Sequence, residues 1–148
     1  MRLLLLVILP VLLFCSENNV TNSPNGFLPS VGLLYQKSLG PTVIAGMTYT
    51  NKNMDLDDLL GIYGSVEVGQ YGQAGNMGIR AGHLIVNSKI TYSYLHVSRD
   101  NSFFEMGNYN GLIIEVNFLA VVNVRAGIYL GNANKPINFN LGVGVGFF

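Results

Sequence analysis

Residues 136–148 read PINFNLGVGVGFF. Ile137, Phe139, Leu141, Val143, Val145 and Phe147 take every second position, and Asn138, Asn140, Gly142, Gly144 and Gly146 fill the positions between. Successive side chains of an extended strand point to opposite faces, so this stretch has one wholly apolar face and one polar or bare face. Toward the amino terminus the same alternation recurs in segments bounded by Gly, Asn, Pro or Asp. It predicts strands over 31–38, 42–50, 59–70, 77–86, 89–99, 110–119, 121–130 and 137–147. Eight short strands joined in sequence suit an antiparallel up-and-down β-barrel, so the expected fold class is all-β.

The faces agree from strand to strand. Val43, Ala45, Met47 and Tyr49 share the apolar side with Leu60, Ile62, Val66, Val68, Leu112, Ile114, Val116 and Phe118. The opposite side collects Glu67, Arg80, Glu115, Asn117, Asn123 and Arg125. An eight-stranded barrel has an interior just wide enough to be filled by side chains, and charges buried there must be paired. These carboxylates and guanidinium groups therefore read as a structural set of salt bridges.

Composition points the same way. Of 148 residues only 11% are charged, against roughly 25% in an ordinary soluble domain. Hydrophobic residues make up 49%, yet no stretch approaches the ~20 unbroken apolar residues of a spanning helix. Net charge is zero and no Lys/Arg cluster exists, so no nucleic-acid partner is expected. Apolar-out, polar-in strands resemble those of small bacterial outer-membrane β-barrel proteins. That resemblance implies residence in the outer membrane, membrane lipid or lipopolysaccharide as partner, and a structural or surface-interaction role. Parity does not say which face is inside. The inverse arrangement, apolar within and polar without, defines a soluble lipocalin-like barrel held by a lipid anchor.

The amino terminus reads as a targeting segment. Arg2 supplies positive charge, and residues 3–14 form an apolar run that suits a signal peptide and is too short to span. Residues 1–15 are expected to be that signal, and 31–148 the barrel. Leu12-Leu13-Phe14-Cys15-Ser16 resembles a lipoprotein signal in which Cys15 becomes the lipidated first residue, although a small residue usually stands where Phe14 does. An ordinary signal peptide that contains Cys15 is the other reading. Residues 16–30, rich in Asn, Ser, Thr and Pro, read as a flexible linker. With a single Cys, a disulfide within one chain is excluded.

Few constellations could carry chemistry. Asp55, Asp57 and Asp58 cluster, but the Gly and distal Glu of a calcium loop are missing, so a solvated loop is expected. Gly142–Gly146 is strand alternation and no helix follows it, so no dinucleotide or other cofactor is expected. A turn at Asn87-Ser88 would set His83 and His96 too far apart to share a metal, and no metal site is expected. His96 and Ser98 remain. Two residues apart on a strand, they share the outward face about 6.6 Å apart. A hydroxyl beside an imidazole is the core of a serine hydrolase.

His96-Val97-Ser98 on an outward strand of a small barrel, with an Asn/Gly-containing loop after it, resembles the lipid A 3-O-deacylase family. That resemblance implies a carboxylic ester hydrolase acting on acyl chains of lipopolysaccharide. Ser98 would be nucleophile and His96 base, with Glu105 or Asn110 orienting it. The family usually has Asn directly after the Ser, where this chain has Arg99. Arg99 is a candidate to bind a lipid phosphate, since guanidinium matches phosphate geometry. Asn110 is expected opposite Ser98 across the loop 100–109, on the outer face.

Overall fold

The computed structural model describes residues 25–51, 59–83, 85–132 and 135–147. The signal segment, Cys15, most of the linker, and Asp55, Asp57 and Asp58 lie outside the described residues. Eight antiparallel strands follow in order: β1 (Asn25–Gln36), β2 (Gly40–Asn51), β3 (Leu59–Gly69), β4 (Gly72–Gly82), β5 (Val86–Val97), β6 (Gly107–Phe118), β7 (Val122–Gly131) and β8 (Ile137–Phe147). Each strand pairs with the next, and β1 pairs with β8, closing an up-and-down barrel.

The register fixes the barrel's shape. The pairing Gly26–Thr50–Gly61–Arg80–Lys89–Glu115–Arg125–Gly142–Gln36 circles all eight strands and returns to β1 ten residues beyond its start. Such a stagger tilts the strands against the barrel axis, typically by about 35–45°. It also places Arg80, Lys89, Glu115 and Arg125 as successive neighbours along one inward row, so opposite charges meet as a consequence of the alternation.

Burial settles which face is inside. Ile62, Val68, Ile79, Leu112, Ile114, Leu130 and Val143 are exposed, whereas Glu67, Arg80, Lys89, Glu115 and Arg125 are all 2% exposed or less. The apolar face is the outer wall, and the polar face is the lumen. The inverted, lipocalin-like arrangement, with Glu67, Arg80, Glu115 and Arg125 facing water, is not the one the chain adopts. Outward aromatics stand toward both strand ends: Phe27, Tyr49 and Phe118 at one, and Tyr35, Tyr94 and Phe139 at the other.

Several boundaries differ from expectation. β1 starts at Asn25, so residues 25–30, expected as linker, are strand. Gly26 and Pro29 suggest a break, but they pair with Thr50 and Met47 of β2. The expected turn at Asn87-Ser88 lies inside β5. Asn87 points into the lumen and accepts hydrogen bonds from Arg80 Nε (3.0 Å) and Asn117 Nδ2 (2.8 Å). The expected loop 71–76 shrinks to the two residues 70–71 between Gly69 and Gly72, and Asn76 donates to Glu67 inside the barrel at 2.7 Å. Asn76 and Asn87 signal turns in sequence, but here they are lumen-facing strand positions.

Connections 37–39, 70–71 and 98–106, with Asn132 and residues 135–136, gather at one end, called here the loop end. There the β5–β6 loop folds over the barrel. Asn101 Oδ1 accepts from Phe103 N and Phe104 N, both at 2.8 Å, and Asn101 Nδ2 donates to the Ser38 carbonyl at 2.9 Å. This tethers the loop across the mouth to the β1–β2 turn and sets Phe104 into the barrel. Phe104 packs edge-on against Tyr109 (5.3 Å) and Tyr129 (5.8 Å), within a buried cluster that includes Leu39, Leu95 and Val97.

Candidate functional site

Two groups of polar side chains stand out, one inside the barrel and one on its outer wall. Inside, Arg125 bridges two carboxylates: Nη1 lies 2.6 Å from Glu67 Oε1 and Nη2 lies 3.1 Å from Glu115 Oε2. Glu67 also accepts from Gln36 Nε2 and Asn76 Nδ2, each at 2.7 Å. Glu115 accepts from Asn123 Nδ2 at 2.8 Å, and Lys89 Nζ lies 3.8 Å from it and 4.0 Å from the Tyr63 ring centroid. Asn123 donates on to Asn117, Asn117 to Asn87, and Arg80 donates to both Asn87 and Thr48. The result is a continuous network through the lumen. Salt bridges within it join the predicted Glu67, Glu115 and Arg125. Lys89 belongs to it too; its inward parity, odd like that of Thr91 and Ser93 on β5, was the signal available in sequence. This network fills space and pairs charge inside the barrel.

The outer group lies on β4, β5 and β6 near the loop end. Alternation on β5 turns Tyr92, Tyr94 and His96 outward while Leu95 and Val97 are buried. His96 pairs with Asn108 across β5–β6, and His96 Nδ1 lies 2.7 Å from Asn108 Oδ1. With the amide oxygen as acceptor, Nδ1 carries a proton, so in the neutral ring the lone pair is on Nε2. Asn110, expected opposite Ser98, instead pairs with Tyr94 and accepts a 2.6 Å hydrogen bond from Tyr92 OH. The loop begins two residues and ends three residues earlier than expected, because the Asn101 turn takes up residues 98–106, so the amide beside His96 is that of Asn108.

Ser98 is exposed, and its Oγ donates to the Tyr71 carbonyl at 3.2 Å, not to His96. Glu105 is exposed in the loop, and its carbonyl accepts from Tyr109 OH at 2.8 Å. Arg99 is exposed beside the β3–β4 turn, its backbone N donating to the Tyr71 carbonyl at 3.4 Å. The geometry thus joins His96 to Asn108, keeps Ser98 and Arg99 at the same rim, and leaves Glu105 and Asn110 with other partners. His83 sits beyond β4 at the opposite end of the barrel, its N donating to the Val86 carbonyl. No known protein family, curated protein or solved structure matches the chain.

Proposed function

We propose that this protein is a small β-barrel of the bacterial outer membrane, exported by its amino-terminal signal segment and serving a structural or surface-interaction role. The observation that carries this reading is the inversion of the usual soluble pattern. The outer wall is a continuous belt of Val, Ile, Leu, Met and aromatic side chains, while ionised groups fill the lumen. Soluble monomers rarely expose contiguous apolar patches beyond a few hundred Å², and fully burying each large apolar side chain is worth about 1.5–3 kcal/mol. A hydrocarbon surround removes that penalty. A closed barrel satisfies its backbone groups without an edge, as lipid demands. The loop 98–106, tethered through Asn101 to the Ser38 carbonyl, is the natural contact surface at the loop end.

Fractionation of expressing cells together with gel migration tests this. The protein should sediment with the outer membrane, require detergent for extraction, and migrate differently before and after boiling in SDS. Purification as a folded, monodisperse protein without detergent would overturn the reading. A second reading, ester hydrolysis on the outer wall, draws support from the His96–Asn108 pair, which holds Nδ1 and so directs Nε2 of the neutral ring to act as the base. Mass spectrometry of lipid A from expressing cells, with Ser98→Ala as control, tests it; unchanged acylation beside folded wild-type protein would discard it.

A further inference from the structure

The outward row that runs Ala45, Val66, Gly75, Tyr94, Asn110 lacks one side chain, at Gly75. A Cβ built there would meet nothing within 4 Å. Neighbouring strands lie about 4.8 Å apart, so the missing side chain separates the outward residues of β3 and β5 by two strand spacings. A groove of about 270 Å³ results, with Gly75 as its floor, Val66 and Val68 on one wall, and Tyr94 and His96 on the other.

The chemistry changes along the groove. Val66, Gly75 and Tyr94 make its body apolar. Gln73 and His96, which pair across β4–β5, put two hydrogen-bonding side chains at its upper end. Just above, the hairpin turn draws in the start of the β5–β6 loop, because the Tyr71 carbonyl accepts from both Ser98 N (2.8 Å) and Arg99 N (3.4 Å). That clamp fixes the backbone of exposed Arg99 at the rim beside the polar end, within a side chain's reach of it, while the neighbouring Asp100 carboxylate is engaged by Met106 N. From body to rim the surface reads apolar, hydrogen-bonding, cationic.

The same order is found along a membrane lipid: hydrocarbon chain, carbonyl or hydroxyl group, anionic phosphate. We propose that the groove binds one acyl chain of a phosphate-bearing lipid of net negative charge, with the chain over Gly75, its carbonyl or hydroxyl on Gln73 and His96, and its phosphate on Arg99. Guanidinium suits phosphate, and the Asn108 bond holds the imidazole in place for its role. The proposal rests on the reading that the outer wall meets lipid. It requires binding only, with no bond made or broken.

Gly75→Leu is the decisive variant, since it fills the groove at a position where the backbone leaves room. Protein in neutral detergent is mixed with phosphatidylglycerol or with phosphatidylcholine of the same chains, and retained lipid is counted by native mass spectrometry. Wild type should retain one phosphatidylglycerol in preference to phosphatidylcholine. Gly75→Leu, and Gly75→Val as a second filling variant, should reduce retention at least tenfold with unchanged heat-dependent gel migration. Arg99→Gln should keep a bound chain and lose the preference between head groups. Equal retention by the filled variants and wild type would overturn the proposal, as would folded wild type that retains neither lipid. Failure of the membrane reading itself would look different, because the barrel would then be recovered folded without detergent.

Discussion

Arg125 ties two buried carboxylates together inside the barrel. Its two Nη atoms reach Glu67 and Glu115 on different strands, and the residue is 1% exposed. A buried ion pair contributes little net stability when whole, because desolvation offsets attraction. Breaking one is costly, because a buried charge is left behind. Arg125→Met should therefore destabilise the barrel by about 3–5 kcal/mol, read as a lowered urea midpoint in detergent micelles. Adding Glu67→Gln should recover part of the loss, since one stranded carboxylate disappears while the new amide oxygen still accepts from either Gln36 or Asn76, which bond different oxygens of Glu67. A loss under about 1 kcal/mol in the single variant would mean that Lys89, 3.8 Å from Glu115, takes over the compensation.

Among the connecting elements, the β6–β7 turn is built against its sequence. Leu119 and Ala120 both have φ of 53°, and Val121 N donates to the Phe118 carbonyl across them at 3.0 Å. Two-residue turns with both central φ positive match the twist of a hairpin, and Asn-Gly is their preferred pair. The left-handed region costs an ordinary residue about 1–2 kcal/mol. Leu119→Asn combined with Ala120→Gly should raise stability by about 1–2 kcal/mol in total, since part of the relief is offset by the greater freedom of Gly in the unfolded chain. Refolding midpoints in micelles would show it; an unchanged or lowered midpoint would mean that Ala120, 7% exposed, contributes packing worth as much. This turn was legible in place, because short apolar segments abut there, though its strain was not. The faces of the strands were legible too, since alternation alone assigned Glu67, Arg80, Glu115 and Arg125 to one side. What misled was chemistry shared by turns and lumens. Asn76 and Asn87 look like turn residues and are lumen ligands of a carboxylate and a guanidinium. The partner of His96 was missed for a related reason: the register of β5 on β6 depends on Asn101 folding the loop, a long-range contact to Ser38 that no local pattern encodes.

As a whole the molecule is a cylinder closed twice over. The salt-bridged layer around Arg125 occupies the middle of the lumen, and the Phe104 stopper with its aromatic partners occupies the mouth at the loop end. Ser93 lies beneath the stopper: its Oγ accepts from Tyr129 OH at 2.9 Å, and the Tyr129 ring packs edge-on against Phe104. A thiol at Ser93 should be shielded from water on the loop side by the aromatic cluster and on the other side by the charged layer. In a chain whose Cys15 is replaced, Ser93→Cys should react with a membrane-impermeant maleimide at least tenfold more slowly than Ser102→Cys in the exposed loop. Adding Phe104→Ala should open the loop side alone, raising the Ser93→Cys rate while reconstituted protein still passes no steady ionic current, because the charged layer stays closed. Equal rates at the two thiols in the chain that keeps Phe104 would mean that the loop leaves the mouth freely, and current on removing Phe104 would mean that the stopper, not the charged layer, seals the barrel.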